Sequence, residues 1–92
     1  MLFFVHCVDK PGHLEVRLAN RAAHLDYMKG HLDKILIGGP TLTEDGQGMT
    51  GSMLVVDFPD RATVEAVFAE DPYAKAGLFE SVTIRPYKKV LP

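Results

Sequence analysis

Along this chain the apolar residues change period in a fixed order. Short strand-like runs give way twice to helical spacings of three and four, an order that leaves few topologies open. Leu2 to Val8 reads as a strand with Phe3, Phe4 and Val5 apolar on successive positions, so neither of its faces is marked for water. It is expected at the centre of a sheet. Asp9-Lys10-Pro11-Gly12 is a turn, because proline fixes one dihedral and glycine tolerates unusual ones.

From Leu14 the period becomes helical, and Leu14, Leu18, Ala22, Leu25 and Leu32 predict one apolar stripe on a helix running to about Leu32. Ile35 to Ile37 predicts a short second strand entering the corner Gly38-Gly39-Pro40, and the loop around Glu44 to Gly48 returns the chain to a third strand over 51 to 58. In that strand Ser52, Leu54, Val56 and Phe58 share one face. Asp60 is a candidate cap for a second helix from Arg61 to about Glu70, with Val64, Val67 and Phe68 inward. Asp71-Pro72 opens a further short turn ended by Gly77, and Phe79 to Tyr87 is the last strand. The order β-α-β-β-α-β is the ferredoxin-like α+β arrangement: one domain over residues 1–92, with a four-stranded antiparallel sheet covered by helices on one face. The other sheet face is expected to pack on a second copy, giving a homodimer.

A chain of ninety-two residues buries only roughly 60 to 65 % of the surface its unfolded form exposes, so its core is small and a partner subunit would add usefully to stability. A net charge of −2 gives no basic surplus for phosphates, and nucleic acid is not expected as a partner. The longest apolar runs are far short of the roughly 20 residues of a membrane span, so no membrane role is expected. Cys7 is the one cysteine and can form no internal disulfide, and MLFFV is interrupted by His6 and Asp9 in a way unlike a signal peptide. The expected location is the cytoplasm.

Arg17, His24 and His31 are spaced by sevens and drift only about 20° per step, forming one row beside the apolar stripe. His24 lies about 120° from the stripe centre, where a side chain faces either a cleft or solvent. Asp71 is its natural partner, since a carboxylate on one ring nitrogen fixes the tautomer and makes the other more basic; it is equally a helix cap ahead of Pro72. Ser52 lacks the G-x-S-x-G setting of a nucleophile. Cys7 sits within an apolar strand as a small buried side chain would. His6, His13, His24 and His31 include no pair at the three- or four-residue spacing that sets two ligands on one ion, so no metal is expected. Gly38, Gly39, Gly48 and Gly51 flank the middle strands without any phosphate-loop fingerprint.

The series Arg17-x6-His24-Leu25, Gly39-Pro40, Gly51-Ser52, Asp71-Pro72-Tyr73, Ala76-Gly77 and Pro86-Tyr87-Lys88-Lys89-Val90 resembles the YCII-related proteins over nearly the whole chain. That resemblance implies a ferredoxin-like fold whose dimer joins two sheets, as in muconolactone isomerase, and a pocket with a His/Asp pair carried here by His24 and Asp71. It further implies that Ser52, Gly39, Pro40 and Tyr73 line the same pocket and that Arg17 helps to hold an anionic group. The segment between Thr41 and Gly51 looks shorter than in the family's bacterial prototype, so the resemblance does not extend to any substrate preference that depends on this loop. One family member resembles a dehydrochlorinase of chlorinated hydroxyquinols, which suggests proton abstraction and elimination. The expected function is general acid/base chemistry on a small, anionic organic molecule, giving isomerisation or elimination with no cofactor. Two rivals remain: a dimeric ligand-binding or regulatory module, and a purely structural tie between His24 and Asp71.

Overall fold

The computed structural model describes Met1–Pro92. Its elements are β1 (Leu2–Asp9), α1 (Leu14–Lys29), a 3-10 turn (Leu32–Lys34), β2 (Ile35–Leu42), β3 (Met49–Asp57), α2 (Arg61–Ala69), the single-turn helix α3 (Pro72–Lys75) and β4 (Phe79–Tyr87). The four strands form one antiparallel sheet in the order β2-β3-β1-β4. This is the ferredoxin-like α+β arrangement that the order of periods predicts, with β1 central.

Register explains the core. Phe3, Val5 and Cys7 stand opposite Val56, Leu54 and Ser52, so these six side chains point to the same, helix-covered face. Ile84 of β4 pairs with Val5 and completes the layer. Phe58, Val64 and Phe68 close over it, and Met28 is the only residue of α1 in the buried cluster. Asp60 caps α2 as expected, its Oδ1 accepting from the Thr63 amide at 2.8 Å and the Thr63 hydroxyl at 2.7 Å.

Two elements depart from the sequence expectation. α1 stops at Lys29 rather than near Leu32: Gly30, a poor helix former, caps it, and the chain enters the 3-10 turn. β2 does not break at the glycine-rich corner but continues through Gly38, Gly39 and Pro40 to Leu42. It is an edge strand, where a proline without an N–H need not interrupt a ladder.

The larger departure is the orientation of α1. Its leucine stripe faces outward: Leu14, Leu18 and Leu25 are each about half exposed. The inward face carries Arg17 and Met28, with His24 and Tyr27 half-buried. Periodicity locates the helix, but polar partners on the sheet decide which side turns in. α1 leans on α3 and stands away from β2, and the gap between them is a cleft.

Candidate functional site

The cleft has a volume of about 360 Å³ and lies between the inward edge of α1 and strands β2 and β3. Its polar end is built from three elements that meet only in the fold. Asp71 is 1 % exposed at the start of α3, where its Oδ1 accepts from the Tyr73 amide at 3.0 Å. The same oxygen lies 2.9 Å from His24 Nδ1. A carboxylate offers only lone pairs, so Nδ1 carries the hydrogen and Nε2 keeps a free lone pair for proton chemistry. The cap and the dyad are therefore one arrangement: the backbone amide fixes the carboxylate and the carboxylate fixes the ring.

The His24 ring also stacks on Tyr73, with centroids 3.9 Å apart and planes 11° from parallel. The Arg17 guanidinium also lies over the Tyr73 ring, 4.6 Å from the centroid. Arg17 is 2 % exposed and tightly held. Its Nε donates to Asp9 Oδ2 at 2.7 Å, and its Nη2 donates to Asp9 Oδ1 at 3.0 Å and to Ser52 Oγ at 2.9 Å. Burial alone would lower the Arg17 pKa, but the hydrogen bonds and charge of Asp9 outweigh it, with Tyr73 adding to them, and the pKa is raised. Tyr73 is pushed up as well, chiefly by burial, while the nearby charges of Arg17 and Arg21 pull the other way. Beneath the network Cys7 is raised to about 12 by burial first and then by the charges of Asp71 and Asp9. It is a buried thiol, as its place in an apolar strand suggests.

Arg17, His24, Gly39, Pro40, Ser52 and Tyr73 all line the cleft, with Asp71 directly behind His24. Gly38 and Pro40 share their face of the sheet with Leu54 and Ser52, so they form the floor. A Cβ at Gly38 would press on the Leu54 side chain at 3.0–3.1 Å, which shows how close that floor lies to the core. Gly48 and Gly51 are not part of the cleft. A Cβ at Gly51 would run into the Cys7 carbonyl, so strand approach explains that glycine. Of the other histidines, His13 faces the Pro11 carbonyl and His31 packs edge-on against Tyr27 and Phe58.

Sequence reasoning passed over Asp9 and Arg21. Asp9 reads locally as the first residue of a turn, and nothing in the spacing ties it to Arg17 eight positions on. Arg21 follows Arg17 by four residues and precedes His24 by three, so their side chains neighbour one another on the helix, which is the one signal that marked it.

These features define a ferredoxin-like α+β domain with a cleft between its first helix and its edge strand, one end of which is lined by His24 with the buried Asp71 behind it. Residues 1–88 match the YCII-related domain, and the chain belongs to that family. It is 35 % identical to Protein YciI of Escherichia coli over 97 aligned residues, covering 98 % of this chain and 99 % of that one. It is 33 % identical to an uncharacterized protein of Haemophilus influenzae over the same shares. Among solved structures it is similar to 5-chloro-2-hydroxyhydroquinone dehydrochlorinase (TftG) of Burkholderia phenoliruptrix in complex with 2,5-dihydroxybenzoquinone. The TM-score is 0.90 and the identity 40 %, over 96 % of this chain and 94 % of that one. SnoaB, a cofactor-independent oxygenase of Streptomyces nogalater, shares the fold at TM-score 0.62 and 14 % identity, over 99 % and 96 % of the two chains.

Proposed function

We propose that this protein is a lyase or isomerase for small organic acids in which His24, oriented by Asp71, acts as the general base. The observation that carries the reading is the 2.9 Å contact between His24 Nδ1 and a buried carboxylate oxygen, with the His24 ring lining the cleft. Nε2 takes a proton from the substrate; the electron pair left behind either expels a leaving group such as chloride or shifts a double bond before the proton returns. In the elimination the net change is loss of one acid molecule, HCl for a chlorinated substrate. Proton transfer of this kind needs no metal or organic cofactor. The 40 % identity to a dehydrochlorinase over nearly both chains supports a small-molecule substrate of that kind.

The working form is a homodimer joined through the sheet face opposite the helices. Phe4, His6, Val8 and Met53 lie on that face and are half-buried even in a single chain, which is an incompletely covered surface with apolar character. The cytoplasm suits a protein whose one cysteine has no partner. No helix is long and apolar enough to cross a membrane.

Release of chloride from 5-chloro-2-hydroxyhydroquinone, followed for wild type and His24→Ala, tests the reading. The expected outcome is turnover by the wild type and a loss of about 10²- to 10⁴-fold in the variant, the range of general-base contributions. A His24→Ala protein with undiminished turnover refutes it. Saturable binding of the substrate by the wild type with no product would favour the ligand-binding reading.

A further inference from the structure

The cleft holds three cationic or potentially cationic side chains, and two of them have their own carboxylate. Arg17 is matched by Asp9 and His24 by Asp71, and both carboxylates lie behind the site. The third, Arg21, lines the same cleft with no ion pair or side-chain hydrogen bond. No aspartate or glutamate is among the lining residues. The cleft therefore presents one unanswered positive charge beside the dyad, at the helical neighbour position of His24. Arg21 is an exposed side chain, and its charge pulls the buried Tyr73 phenol downward, which agrees with a guanidinium near the polar end of the cleft.

The remainder of the lining sets the other half of the ligand. Leu25, Leu32 and Leu36 line the cleft and are about half exposed or more, over a floor that includes the side-chain-free Gly38. A cavity of about 360 Å³ stands at the low end of small-molecule sites, which run from about 300 to 1,000 Å³.

We propose that Arg21 is the substrate's anion anchor, and that the cleft selects single-ring molecules bearing an ionised oxygen, carboxylate or enolate, which Arg21 grips while the ring lies on the apolar wall. The inference rests on the reading of this cleft as the substrate site. It assigns Arg17 a different part: with its charge committed to Asp9, Arg17 positions Ser52 and Tyr73, and the counter-charge for substrate falls to Arg21.

The test is calorimetric titration of the wild type, Arg21→Gln and Arg21→Lys with 2,5-dihydroxybenzoquinone, an acid ionised at neutral pH, with benzoate, and with uncharged hydroquinone. A charge-assisted contact of this type is worth about 1.5–3 kcal/mol, which corresponds to a loss of about tenfold to a hundredfold in affinity for the anions in Arg21→Gln. Arg21→Lys should recover part of that loss, hydroquinone should bind far more weakly than either anion, and the thermal midpoint should be unchanged. Preference for benzoate over the quinone, or the reverse, tells whether a carboxylate or an enolate is the favoured group. Anion affinity within twofold of wild type in Arg21→Gln overturns the inference, as does failure of the wild type to bind either anion. Chloride release from 5-chloro-2-hydroxyhydroquinone by His24→Ala separates the two ideas. Arg21-dependent binding together with undiminished His24→Ala turnover upholds the anchor and removes the base, whereas Arg21-independent binding with abolished turnover does the reverse.

Discussion

At the residue scale, the buried charges of the site are stable only as pairs. Asp9 gives Arg17 two of its three hydrogen bonds, in the fork geometry that suits a guanidinium. Removing the carboxylate leaves a cation with almost no access to water. Asp9→Ala is therefore expected to lower unfolding stability by about 3–5 kcal/mol, measured by urea denaturation, the cost typical of breaking a buried pair from one side. Cys7 gives a pH signature of its own. Its folded pKa of about 12 stands above the ordinary 9.0, so the unfolded chain releases this proton first as pH rises. The stability it contributes is fully present below about pH 9 and is lost between about 9 and about 12. Wild type should lose stability more steeply across that window than Cys7→Ala, by at most about 1.4 kcal/mol per pH unit, in denaturation series at stepped pH.

At the element scale, α1 shows why a helical period does not by itself identify a buried face. The leucines at 14, 18 and 25 make the more apolar stripe, yet the helix turns Arg17, His24 and Met28 inward. The inward side chains find Asp9, Ser52, Asp71 and Tyr73 across the interface, and those contacts offset the desolvation that makes a lone buried arginine unfavourable. An exposed leucine and a core leucine respond very differently to substitution, which makes the orientation measurable. Leu18→Gln is expected to change unfolding stability by no more than about 0.5 kcal/mol, as for surface positions, rather than by the 2–5 kcal/mol of a large-to-small core change. β2 teaches a related lesson: Gly38-Gly39-Pro40 reads as a corner by composition, but an edge strand tolerates both residue types and places this stretch under the cleft.

At the scale of the whole molecule, one face of the sheet is covered by helices and the other is open. The two-sided apolar character of β1 finds its explanation there, for Phe3, Val5 and Cys7 fill the core while Phe4 and Val8 lie on the open side. Central residues of an interface carry most of its energy, and a charge buried without a partner opposes association. For the homodimer proposed above, Phe4→Glu is expected to shift the association toward monomer in sedimentation equilibrium, with the helical content by circular dichroism retained.

The sequence by itself determined the order of elements, the α+β class, the caps at Asp60 and Asp71, and the core face of α2, whereas β1 and β3 offered apolar residues on both faces. Each of these follows from local information: a two-residue or 3.6-residue period, or a capping aspartate at the start of a helix. His24 and Asp71 were also legible as a pair, through the order of short motifs rather than through any spacing between them. Only the tertiary structure decided the inward face of α1, the length of β2, the pairing of Arg17 with Asp9, and the place of Arg21 at the cleft. Those outcomes depend on groups far apart in the chain that compete to satisfy buried charge, and that competition is resolved when helix and sheet meet.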